Sequence, residues 1–149
     1  MNVRELMPPE LVKLELRGRT KDEVMEELAS LVKGAGLLED LGGYMEALRD
    51  REAQGSTWVG MGIAIPHGKC RHVISPFVAF GRSPGGVDWD SLDGEMAHLV
   101  FMIGVPEEGA VNEHLKILQV LSRRLVDDAV RRSLLGASSP QEVLGILEG

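Results

Sequence analysis

Two histidines and an arginine carry the residue types that could handle an anionic group: His67, His114 and Arg51. His67 closes the apolar word Gly62-Ile63-Ala64-Ile65-Pro66 and is followed by Gly68. Pro66 has no backbone N–H and a fixed φ, so a strand can pair only up to Ile65, and the imidazole is expected to leave the sheet on a rigid turn. Gly68 then permits close approach by another backbone group. A neutral imidazole held there becomes a nucleophile once one ring nitrogen is tied by a hydrogen bond that fixes the tautomer.

His114 precedes Ile117 and Leu118 by three and four residues, which puts it on the apolar, sheet-facing side of a helix. It falls in the first turn, where backbone N–H groups lack partners and the helix dipole favours an anion. The same positive end disfavours protonation, leaving an imidazole that can donate one hydrogen bond to an oxygen of the anion. Arg51 stands one turn beyond Leu48, so its stem is directed inward and its planar fork suits two oxygens of an anionic group. Ser56 and Thr57 follow directly and could add hydroxyl donors, although Ser-Thr pairs also serve as ordinary turn residues. Plainer roles exist for all of them: a histidine satisfied by a carbonyl, or an arginine that snorkels along the core rim or closes its helix.

The elements that must position these groups alternate. Thr20-Lys21-Asp22-Glu23 is a capping box before a helix with Val24, Leu28, Leu31 and Val32 inward and Gly34 as its stop. A second helix is expected over 43–54, with Gly55 as terminator. Strands are expected over 58–65, 77–81 and 98–105, the last a near-continuous apolar run that belongs in the sheet centre. Gly85-Gly86 reads as a turn. Asn112 or a neighbour caps a helix striped by Leu115, Ile117, Leu118, Leu121 and Leu125, and Ser139-Pro140-Gln141-Glu142 opens a last one.

The chain has 149 residues, a formal net charge of −7 and one cysteine. That length suits a single domain over 1–149 with a proper core. The charge argues against a nucleic-acid partner and in favour of a basic protein partner. No signal peptide or apolar run of membrane-spanning length is present, so no direct membrane insertion and a cytoplasmic location are expected. Asp88, Asp90, Asp93 and Gly94 approach a calcium loop, but the third acid is one residue late and no closing glutamate follows. His67, Cys70 and His72 fit no zinc spacing. No cofactor or metal is therefore assigned; a metal-dependent hydrolase using the His and Asp residues is the remoter alternative. Trp89 is expected to pack under the acidic loop, and His98 to serve the structure.

Three further words extend the pattern: Arg51-Glu52-Ala53-Gln54-Gly55-Ser56-Thr57, Val105-Pro106-Glu107 and Asn112-Glu113-His114-Leu115-Lys116. With the Ile65-Pro66-His67-Gly68 word, the 86–94 segment and the closing 139–144 segment, they resemble the enzyme IIA domain of the fructose/mannitol class of the bacterial sugar phosphotransferase system, including its nitrogen-regulatory relatives. The resemblance implies a phosphoryl carrier. His67 would take phosphate on Nε2 from the phosphohistidine of HPr and pass it to a cysteine of enzyme IIB, with the membrane component IIC involved only indirectly. It assigns the phosphorylated position to His67, the second active-site histidine to His114 and the site arginine to Arg51. Met61 and Trp58 depart from the family's usual residues, which bears on partner choice. The expected fold is an α/β single-domain sandwich, a mixed central β-sheet flanked by helices on both faces. Sugar transport is the favoured role because 87–94 and 112–116 look like the fructose branch; the alternative is a regulator that controls partner proteins through its phosphorylation state.

Overall fold

The computed structural model describes residues 3–108 and 113–148, with the side chains of residues 113 and 114 outside that description. The elements run α1 (Val3–Leu6), a 3-10 turn (Pro9–Leu11), β1 (Val12–Lys13), α2 (Lys21–Gly34), α3 (Leu41–Ala53), β2 (Trp58–Gly60), β3 (Ile63–Ala64), β4 (His67–Cys70), β5 (Phe77–Val87), β6 (Ala97–Pro106), α4 (Glu113–Leu125), α5 (Asp128–Gly136) and α6 (Pro140–Glu148).

The strands form one mixed sheet in the order β1-β5-β6-β3-β2, with β4 also paired to β6. β5 and β6 are antiparallel, whereas β3 and β4 both run parallel to β6. Residues 99–103 of β6 are buried without alternation, as a strand covered on both faces must be. α2 and α3 pack together on the sheet, while α1, α4, α5 and α6 form a second contacting group. The expected α/β sandwich is thus what the chain forms.

Local signals explain most boundaries. Thr20 and Glu23 make the full capping box of α2. Asp40 caps α3 by accepting from the Gly43 N–H, so this helix starts two residues before the predicted point. Gly34 remains helical, and the left-handed residue beyond the end of α2 is Gly36, at φ 81°. Ser139 Oγ accepts from the Glu142 N–H, while the Glu142 carboxylate reaches back to Ser138 instead of Ser139. The cap expected at Asn112 lies outside the described residues.

Three expectations need correction. Residues 58–65 form a hairpin, not one strand: Gly60, Met61 and Gly62 all have positive φ, and the chain reverses there so that Trp58 pairs with Ala64. Gly85 and Gly86 lie inside β5 at a shift of register between Arg82 and Val87, so they form a bulge, and the reversal comes after Val87. His67 does not leave the sheet. Pro66 cannot donate, but its carbonyl accepts from the Ile103 N–H at 2.9 Å, and the chain rejoins β6 at once with His67 opposite Ile103. The proline therefore divides one edge into β3 and β4. In α4, Ile117, Leu121 and Leu125 are buried as the stripe requires, but Leu115 is exposed. β1 and α1 are too short for the periodic reading to register, and α5, capped by Asp127, is a further helix beyond those expected.

Candidate functional site

α3 lies against β4 because Gly68 lets it. A Cβ at Gly68 would stand 3.2 Å from the Tyr44 ring and 3.3 Å from Ala47 Cβ, tighter than side chains ordinarily pack. Tyr44 is fully buried, stacks edge-on to Phe77 at 5.5 Å, and donates its hydroxyl to the Ile103 carbonyl at 2.7 Å. Burial pushes its phenol well above the ordinary value, so it stays a donor. This bond ties the first turn of α3 to the β6 residue paired with His67.

One turn beyond Ala47, Arg51 reaches the same opening as His67. The cleft they share has a volume of about 400 Å³ and is also lined by Asp50, Gln54, Gly68, Lys69 and Val105. His67 is half-buried, and its Nδ1 lies 2.9 Å from the Ile65 carbonyl oxygen. A carbonyl only accepts, so Nδ1 carries a proton, and in the neutral ring the lone pair is on Nε2. The Arg51 Nη1 donates to the Gly55 carbonyl at 2.8 Å, closing its own helix. That arginine therefore performs the plain capping role and lines the cleft as well.

His114 belongs to the first turn of α4, which packs on β6, but its side chain lies outside the described residues.

Ser56 and Thr57 are drawn away from the cleft. The Ser56 hydroxyl donates to the Trp89 carbonyl and accepts from the Trp58 N–H. The buried Thr57 hydroxyl donates to Glu52 and accepts from the Trp89 indole N–H at 3.0 Å. Glu52 also accepts from Lys21, whose ammonium bridges to Asp90. Burial alone would lower the Lys21 pKa, but its hydrogen bonds to Asp90 and Glu52 outweigh it and hold the ammonium above its ordinary range. Trp89 thus packs under the acidic loop as expected.

Asp88 and Asp93 accept from backbone N–H groups two residues on, in Asx turns. Among the described residues, no three His, Cys, Asp or Glu side chains gather as a metal site. His98 is held by the Ser83 carbonyl. Burial, the largest influence on Cys70, raises its thiol pKa, which keeps it a poor nucleophile near neutrality. Of the four apolar residues upstream of the site, Val59 and Met61 face outward, Trp58 is half-buried and Ile63 is buried.

Sequence reasoning overlooked Asp50, Gln54 and Lys69. A signal was available for each: Lys69 follows His67 at strand spacing, and Gln54 follows Arg51 at helical spacing. Asp50 precedes Gln54 by four residues, so helical spacing carried a signal for it as well.

Residues 5–149 match the family model for the EIIA 2 component of the phosphoenolpyruvate-dependent sugar phosphotransferase system. The chain is 45% identical over 147 residues to the fructose-specific EIIABC component of Bacillus subtilis, covering 99% of this chain and 23% of that protein. It therefore spans about a quarter of that relative's length. The nitrogen regulatory protein IIA-Ntr of Neisseria meningitidis superposes with a TM-score of 0.86 at 35% identity, over 96% of this chain and 97% of that one. The mannitol enzyme IIA of Escherichia coli, solved in complex with phosphorylated enzyme IIB, gives 0.82 at 28% identity, over 95% and 98%. Among the described residues no helix is long and apolar enough to cross a membrane. The chain belongs to the EIIA 2 family of the sugar phosphotransferase system.

Proposed function

We propose that the protein is a phosphoryl carrier in which His67 accepts phosphate from phospho-HPr and passes it to a cysteine of an enzyme IIB. The observation that carries this reading is the tautomer of His67 inside the Arg51 cleft: with Nδ1–H held by Ile65, the lone pair for in-line attack is on Nε2. In the loading step the Nε2–P bond forms as the donor's N–P bond breaks, and the electron pair leaves on the donor imidazole. In the unloading step a cysteine thiolate attacks phosphorus, the Nε2–P bond breaks, and His67 returns to neutral imidazole. Arg51 keeps guanidinium N–H groups beyond the one spent on Gly55, and these suit the phosphoryl oxygens. His114, on the first turn of α4, would supply a further donor to those oxygens. Ser56 and Thr57 would serve only if their bonds to Trp89 and Glu52 were broken.

An IIB acceptor is supported by the mannitol IIA–IIB complex and by the joined A, B and C of the Bacillus relative. That relative's fructose specificity supports service in fructose-like sugar uptake, with the membrane IIC reached only through IIB. A second reading, regulation of partner proteins through the phosphorylation state, is favoured by the match to IIA-Ntr.

Incubating the protein with enzyme I, HPr and phosphoenolpyruvate should put acid-labile phosphate on wild type and none on His67→Ala. Labelling retained by that variant would overturn the assignment. His114→Ala should still accept phosphate but pass it on about 100-fold more slowly; loss of labelling there, with labelling intact in His67→Ala, would reverse the two roles.

A further inference from the structure

Two further charged side chains, Lys69 and Asp50, line the His67 cleft. Strand alternation puts Lys69 on the same face as His67, about 6.5 Å further along β4, a distance its four-carbon stem can span. Asp50 precedes Arg51 on α3. Both are exposed, and neither belongs to a salt bridge among the described residues. A phosphoryl group on Nε2 would bring nearly two negative charges into this cleft. Arg51 and Lys69 attract them; Asp50 repels them.

We infer that Lys69 and Asp50 set, from opposite sides, how strongly His67 holds a phosphoryl group. This rests on His67 being the acceptor. A relay must receive and release the same group, so its affinity for phosphoryl has to match those of donor and acceptor; a cleft with only cations would hold the group too tightly. Lys69 favours the phosphorylated state and Asp50 counterweights it. Because both are solvated, each changes the exchange equilibrium by about threefold, and salt weakens the effect. Neither is assigned to bond making.

The test is the equilibrium between phospho-HPr and this protein, with each phosphohistidine quantified by phosphorus NMR, at low salt and at high salt. Lys69→Gln should lower the equilibrium constant about threefold, Asp50→Asn should raise it by a similar factor, and the double variant should return close to wild type. Lys69→Arg, which keeps the charge, should behave like wild type, and all differences should shrink at high salt. A structural role would move both single variants the same way and would not be rescued by arginine. Shifts of the same sign, or none at low salt, would overturn the inference. An absence of phosphate on wild-type His67 would instead remove the acceptor reading itself.

Discussion

Arg51 and Glu52 are neighbours on α3 and live in opposite surroundings. Arg51 lines an open cleft and spends one N–H on Gly55. Glu52 has a side chain only 6% exposed, and its carboxylate accepts from Lys21, the Thr57 N–H and the Thr57 hydroxyl. One helix end therefore carries a group with bonding capacity in reserve beside a group with nearly all of it consumed. The reserve suits an incoming anion; the consumed partner holds the helix end, the 88–96 loop and α2 in one arrangement. Charge in a sequence is ambiguous for this reason, because adjacent ionic residues can serve unrelated ends.

Variants at these sites can break or sharpen that contrast. The largest effect is expected at Arg51: Arg51→Ala should slow phosphoryl transfer from HPr about 100-fold while the unfolding midpoint moves little, and Arg51→Lys should recover only part, because a point charge lacks the planar fork. Wild-type rates in both would reduce Arg51 to the cap on Gly55. Glu52→Ala should do the reverse, costing about 2 kcal/mol in denaturant unfolding by removing the acceptor of the Thr57 N–H and hydroxyl, with transfer on the folded fraction close to wild type. A smaller loss, about 1 kcal/mol, is expected for Tyr44→Phe, which removes the hydroxyl's bond to the buried Ile103 carbonyl. Smallest is a pH effect at Glu27, bound by Lys13 and by the Arg17 and Gly18 N–H groups. Burial would raise its carboxyl pKa, but Lys13 and these N–H groups outweigh it and depress the value. Its stabilisation is thus complete above the ordinary glutamate range and disappears as pH falls through the depressed value. Glu27→Gln should flatten that part of the acid stability curve; an unchanged curve would return Glu27 to a solvated residue.

Much of the architecture could be read from residue order, and the failures have physical causes. β6 announced itself because burial on both faces demands a continuous apolar run. α2 did so through its capping box. The hairpin at Met61 was missed because a methionine at φ 57° hides a turn position where Asn or Gly is usual. The return of His67 to the sheet was missed because a proline forfeits only its donor, and the Pro66 acceptor suffices to keep the edge in register. At the site, Arg51 and His67 were legible from their spacing and from the family words around them. The engagement of Thr57 with Glu52 and Trp89 arises from tertiary packing, which no periodicity in the chain records.

The hydrogen bond between His67 and the Ile65 carbonyl has a consequence for the proton inventory of the relay. No proton has to depart when Nε2 attacks, because the ring proton sits on the other nitrogen; the ring instead gains imidazolium character as phosphorus binds. The Ile65 carbonyl, fixed in the backbone, then accepts from a more acidic N–H, and the contact becomes charge-assisted. Phosphorylation should therefore shift the Nδ1 proton resonance downfield, and transfer in heavy water should run at nearly the rate in light water. Loading and unloading the carrier would then proceed by heavy-atom motion alone, with backbone oxygen as the silent partner.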